Sequence, residues 1–202
     1  MDSELLQQLG DSLGANGLPY ALPVHPNLVH ITLGLFIIGI AFDIAGVFFP
    51  LEKSILKFLS LTAVRSNFFD VGWYNVLASA IVTFATVAFG FYEMLLATPD
   101  PKVTSAWGLT AMETMLWHGV GGVVLLALMV GMAVWRGFQR FAWRKDMIRQ
   151  VQWSYIVAGL VIFFLMYVHG TLGAQLAAEF GVHNTADRLL RMGENPNLYF
   201  QQ

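Results

Sequence analysis

Four stretches of the chain are almost wholly apolar, and each is bounded by residues that end helices or mark a membrane surface. Each holds roughly the 20 residues that an α-helix needs to cross about 30 Å of hydrocarbon. The first runs from Leu28 to Phe49, opened by His25-Pro26 and closed by Pro50. Proline suits a helix start, where its missing N–H has no helical partner to lose. The second runs from about Val76 to Leu96, after Trp73 and Tyr74 and before the breaker Pro99-Asp100-Pro101. The third spans about Ala111 to Val134 and ends at Trp135-Arg136; the fourth spans about Trp153 to Ala178. Between the first two, Leu51, Ile55, Phe58, Leu59 and Leu61 approximate one helical face among charged residues. That pattern predicts a short helix lying in the interface.

The fold class expected is therefore all-α: an integral membrane four-helix bundle with a short interfacial helix between spans one and two. Its organisation divides into a leader (1–24), a transmembrane domain (25–182) and a tail (183–202). The leader lacks the basic start and early apolar core of a cleavable signal peptide. Short connections favour antiparallel neighbours.

Composition agrees with this reading. Hydrophobic residues make up 56% of the 202 and charged residues only 12%, against about 25% charged in ordinary globular domains. A net charge of -2 gives no basic footprint for nucleic acid. The absence of cysteine excludes disulfides, iron–sulfur clusters, thiolate metal sites and covalent haem attachment. Basic residues set the orientation. Eight (Lys53, Lys57, Arg65, Arg136, Arg140, Arg144, Lys145, Arg149) lie on one side and three (Lys102, Arg188, Arg191) on the other. The richer side is expected in the cytoplasm. Both termini are then periplasmic or lumenal, in a bacterial inner or thylakoid membrane.

Candidate chemistry rests on histidines. His30, His118 and His169 each have glycine four residues on, at Gly34, Gly122 and Gly173. At 1.5 Å per residue they lie about 5, 10 and 13 Å below the outer ends of their spans, so the topology gathers them at one end. Ionisable residues inside hydrocarbon are costly and face the bundle interior, which makes each a functional candidate. Two neutral imidazoles facing each other within a helix bundle suit bis-histidine ligation of haem b. Glycine one turn along would leave room for the porphyrin. His118 and His169 are the first expected pair of iron ligands, with His30 or His25 as alternatives. Lys102, Arg188 or Arg191 could pair with the propionates. The same glycines also suit plain helix packing. His25 reads as a cap or surface residue, and His183 has no assigned role. Asp43 is expected to pair with a threonine, an asparagine or the cytoplasmic rim, and Glu93 and Glu113 to be solvated at the outer interface. No Glu-x-x-His occurs within a span, which disfavours a carboxylate-bridged metal pair.

The segment His25-Pro26-Asn27-Leu28-Val29-His30, with Asp43 and Gly46 in the same helix, resembles the bacterial membrane family catalogued as domain of unknown function 2231. Trp117-His118, opening an apolar run that ends in Arg136, is similar to that family's third helix. His169-Gly170-Thr171-Leu172-Gly173, continuing to Phe180-Gly181-Val182, resembles its closing motif. Gly90-Phe91-Tyr92-Glu93 stands where the family's second helix usually carries a Gly-x-x-Asp signature. The resemblance covers roughly residues 23–183 and implies a four-helix, cytochrome-b-like membrane domain, sometimes joined to Rieske-type redox domains.

The function expected from these readings is a b-type haem-binding membrane subunit that relays electrons within a respiratory or photosynthetic complex. Two axial histidines leave no open iron position, which suits electron transfer over oxygen chemistry. No nucleophile–base pair, phosphate loop or metalloprotease motif marks the chain as an enzyme. The expected partners are membrane lipid, other subunits of the complex and a second copy in a homodimer. The alternative is a structural or pigment-holding accessory subunit with no redox role, whose histidines ligate a chlorophyll-type pigment or simply pack. A proton-conducting element using Asp43, Glu93 and the histidines is a third reading; the spans show no inverted repeat or broken helix to support it.

Overall fold

The computed structural model describes residues 13–48, 65–99, 102–143 and 151–199. Four helices there are long and apolar enough to cross a membrane: α1 (Val24–Phe48), α2 (Arg65–Leu95), α3 (Ala111–Gly137) and α4 (Trp153–Ala178). Two short helices follow, α5 (Thr185–Arg191) and α6 (Pro196–Tyr199). The architecture is all-helical, as the apolar blocks predict, and the chain is a multi-pass membrane protein.

Helix bounds differ from the sequence expectation mainly in α2. It begins at Arg65, so residues 65–75 continue the spanning helix. The rest of the expected interfacial helix, residues 51–64, lies outside the described residues. α3 starts with a reciprocal cap: the Thr110 backbone N–H donates to Glu113 Oε2 (2.8 Å), and the Glu113 N–H donates to Thr110 Oγ1 (3.3 Å). At its far end α3 passes directly into a π-helical turn, Phe138–Ala142.

By its contacts the chain forms two compact units. The central unit comprises Asn27–Val87 and Gly122–Val168. Its core draws on all four long helices: Phe36 and Ile40 from α1, Phe69 and Val76 from α2, Met129 and Met132 from α3, Tyr155 and Ile162 from α4. Glycines let these helices close up. A Cβ at Gly39 would sit 2.7 Å from Val76, at Gly46 2.6 Å from Phe69, and at Gly159 2.6 Å from Ile40. Large apolar side chains such as Ile81, Phe84, Val157 and Phe164 point outward and are more than half exposed. That is the inverse of a soluble helix and what hydrocarbon solvent permits.

The terminal unit comprises Met1–Pro26, Ala88–Gly121 and His169–Gln202. Its small core joins Ala111 and Met115 of α3 to Leu176 of α4 and to Phe180 beyond it. The leader is folded on itself by the side chain of Asn16, which donates to the Tyr20 and Ala21 carbonyls, and it is tied to the rest of the unit by the His183 ring at the Asn16 carbonyl (3.2 Å).

Candidate functional site

α1 needs a capping group because its first backbone N–H groups have no helical acceptor. Glu93, near the end of α2, supplies it. Its Oε1 accepts from the backbone N–H groups of Val24 (2.7 Å) and His25 (3.0 Å) and from the Tyr20 hydroxyl (2.8 Å). A carboxylate at a helix N-terminus also complements the helix dipole. Glu93 is 4% exposed, so the expectation of a solvated interfacial carboxylate is corrected: it is a buried cap. Burial and then Glu93 push the Tyr20 phenol up from its ordinary value of 10.0, so it remains a donor.

This cap sets the position of His25, whose ring rests against α2 where Gly90 has no side chain; a Cβ there would lie 2.8 Å from ring atoms Nδ1 and Cε1. His25 is thus part of a histidine group. Its ring centre lies 5.9 Å from that of His118, with planes at 85°. His118 in turn stacks on His169, centres 4.2 Å apart and planes 12° from parallel. His169 Nε2–H donates to the His118 carbonyl (2.8 Å), which fixes its tautomer.

Each ring is seated on a glycine of another helix. A Cβ at Gly173 would lie 2.9 Å from His118 Cε1, and one at Gly121 would lie 2.6 Å from His169 Cδ2. Gly173 therefore makes room for the His118 ring, where the spacing suggested room for a porphyrin beside His169. For His169 the glycine is Gly121, the neighbour of Gly122. Gly34 has nothing within 4 Å of a Cβ built on it, so no ring is seated there. His30 is exposed on α1; five residues beyond His25, it is rotated by about 140° around the helix and does not share that residue's face. The pattern that found His118 and His169 thus also flagged His30, which lies in the other unit, and passed over His25.

One atom in the group is unsatisfied. His118 Nδ1 is buried and has no hydrogen-bond partner among the described residues. Buried polar groups are usually paired, so an orphaned imidazole nitrogen points to a missing partner.

The fit to an iron with two axial imidazoles differs between the pairs. Metal–nitrogen bonds of about 2 Å on either side of one ion put the ring centres about 6 Å apart. His118 and His169 are too close, lie face to face, and have already committed His169 Nε2 to a carbonyl. The His25 and His118 ring centres match that separation. No group of three or more histidine, aspartate or glutamate residues able to hold a bare metal ion occurs among the described residues.

Among the described residues, the other charged side chains fully buried in the spans are Asp43 and Arg136, both 0% exposed, in the central unit. Arg136 Nε donates to Asp43 Oδ2 (3.0 Å) and Nη2 to Oδ1 (2.9 Å), a two-pronged bridge; Nη2 also reaches the Phe69 carbonyl (3.1 Å). Gly72 lies against the Asp43 carboxylate, where a Cβ would clash. Asp43 therefore pairs with neither a threonine, an asparagine nor the rim. Removing Arg136 from the eight loop charges leaves seven against three, and the direction of the bias stands. Among the proposed propionate partners, Arg191 is bound to Asp187 (2.6 Å).

The chain matches the model of the family described as "Predicted membrane protein (DUF2231)" over residues 21–186. It belongs to that family. No curated protein and no solved structure matches it.

Proposed function

We propose that the protein is a b-type haem-binding subunit that relays electrons within a membrane redox complex, with His118 and His25 as the residues that would hold the haem iron. One observation carries this reading: the buried, unpartnered Nδ1 of His118, in a ring whose centre lies 5.9 Å from that of a second imidazole, His25. Haem held there would supply one-electron transfer.

The chain's own residues do the holding. Glu93 anchors the start of α1 and so the His25 backbone. His169 orients His118 by stacking on its ring and bonding its carbonyl. Gly90 and Gly173 keep β-carbons out of the space the two rings fill. On the loop-charge bias, both termini and the histidine group lie on the periplasmic or lumenal side. The relay partners are other subunits of the complex, or a second copy of this chain.

The packing of all three rings on glycines favours a second reading. The histidines then serve as a rigid seam of an accessory subunit, holding no cofactor or a singly ligated chlorophyll-type pigment. A reduced-minus-oxidised absorbance spectrum with a pyridine haemochrome assay separates the two. Detergent-purified protein is expected to show a b-type α-band that is lost in His118→Ala and His25→Ala and retained, shifted, in His169→Ala. Folded protein without haem would overturn the electron-transfer reading. A band surviving in His25→Ala would overturn the ligand pair alone.

A further inference from the structure

In the terminal unit, the leader, the connection after α2 and the tail line a small open recess. Arg188 enters it from α5, where one end of its guanidinium lies against Gly17. That glycine has a positive φ of 77° and no Cβ to obstruct the contact. Arg188 has no hydrogen-bond or ion-pair partner among the described residues. The adjacent Arg191 is neutralised by Asp187, so Arg188 leaves the recess with an uncompensated positive charge.

Further donors point the same way. Thr98 and Asn184 line the recess. The Asn184 side-chain oxygen is used to cap α5 by accepting from the Asp187 N–H (3.2 Å), while its amide NH2 has no partner among the described residues. The wall behind them is fixed by His183, held in the left-handed region at φ 55°. Its two ring nitrogens face the carbonyls of Asn16 (3.2 Å) and Glu93 (2.8 Å). Strained backbone of this kind persists only where surrounding contacts enforce it.

We infer that this recess binds a phosphate-type oxyanion through the Arg188 guanidinium, with Thr98 and Asn184 as accessory donors. A guanidinium fork matches two phosphate oxygens at once. The oxyanion could come from free phosphate or from the headgroup of an anionic lipid. Exposed Leu190 and Met192 on and beside α5 suit a headgroup whose acyl chains lie alongside. The inference is independent of the haem reading.

The test uses the full chain in dodecyl maltoside, with thermal unfolding followed while inorganic phosphate is added against chloride at matched ionic strength. A parallel series compares nanodiscs of phosphatidylglycerol with nanodiscs of phosphatidylcholine. Phosphate or phosphatidylglycerol is expected to raise the unfolding temperature. Arg188→Gln should raise the concentration needed for the half-maximal response at least about tenfold, through loss of the charge-assisted guanidinium contact, with Arg188→Lys between the two and both variants keeping wild-type helix content. A response to phosphatidylglycerol alone identifies a headgroup site, and a response to phosphate identifies a soluble ligand. No response to either, or an Arg188→Gln response equal to wild type, would overturn the inference.

Discussion

In the central unit the buried charge is closed on itself. Arg136 donates two hydrogen bonds to Asp43 and a third to a backbone carbonyl, and neither residue touches solvent. In the terminal unit the corresponding polar groups are three half-buried imidazoles, with one nitrogen left open. Both arrangements sit on glycines that remove β-carbons from the contact. The difference lies in cost and satisfaction. Two ions taken out of water carry desolvation penalties of several kcal/mol each, so they persist only when fully paired. A buried imidazole nitrogen without a partner costs only about 1–3 kcal/mol. A membrane protein can retain an unsatisfied imidazole for use; an unpaired intramembrane charge it cannot readily keep. On this argument the Asp43–Arg136 pair is a structural clamp and the histidine group is the place to look for function.

The largest expected effect tests the clamp. Asp43→Ala should cost about 3–5 kcal/mol, because it strands a buried guanidinium. The double change Asp43→Leu with Arg136→Met should lose far less. Reversible unfolding in mixed detergent measures both. Equal stability of the single variant and wild type would break the comparison.

A smaller effect tests the glycine seats. Gly121→Ala and Gly173→Ala force a β-carbon to within 3 Å of an imidazole that is held on its other side, and each should cost about 1–3 kcal/mol, as overpacking does. Gly34→Ala meets open space and should gain up to about 1 kcal/mol through helix propensity. The same unfolding assay ranks them. If all three behave alike, the histidine rings are not seated as described.

The smallest effect sharpens the central unit. Tyr155 is 0% exposed and its hydroxyl has no partner among the described residues. Tyr155→Phe should therefore lie within about 1 kcal/mol of wild type, on the stabilising side, since it removes an unsatisfied group and keeps the ring. Clear destabilisation would show that the hydroxyl is bonded, for instance through internal water near the ion pair.

The spans were legible because hydrocarbon solvent leaves a coarse signature: long apolar blocks, stopped by proline or flanked by tryptophan. α4 agrees to the residue at both ends, Trp153 and Ala178. The start of α2 was hidden because Arg65 and Asp70 interrupt its first turns and read as interfacial. A sign of the α3 cap, Thr110 followed three residues later by Glu113, was in the sequence and unused. Opposite charges at Asp43 and Arg136 were visible too, yet nothing local links residues 93 positions apart.

By itself, then, the sequence determined the all-helical membrane architecture, the apolar extents of the spans, the family, and the presence of histidines inside the spans. Those properties depend on composition and period, which each segment carries alone. Only the tertiary structure decided which imidazoles meet, that Glu93 caps another helix, that Gly121 serves His169, and that Asp43 meets Arg136. Those depend on helix rotation, and a shift of one residue turns a side chain by about 100°. His25 and His30 differ by five residues on one helix, and rotation is what put the first against His118.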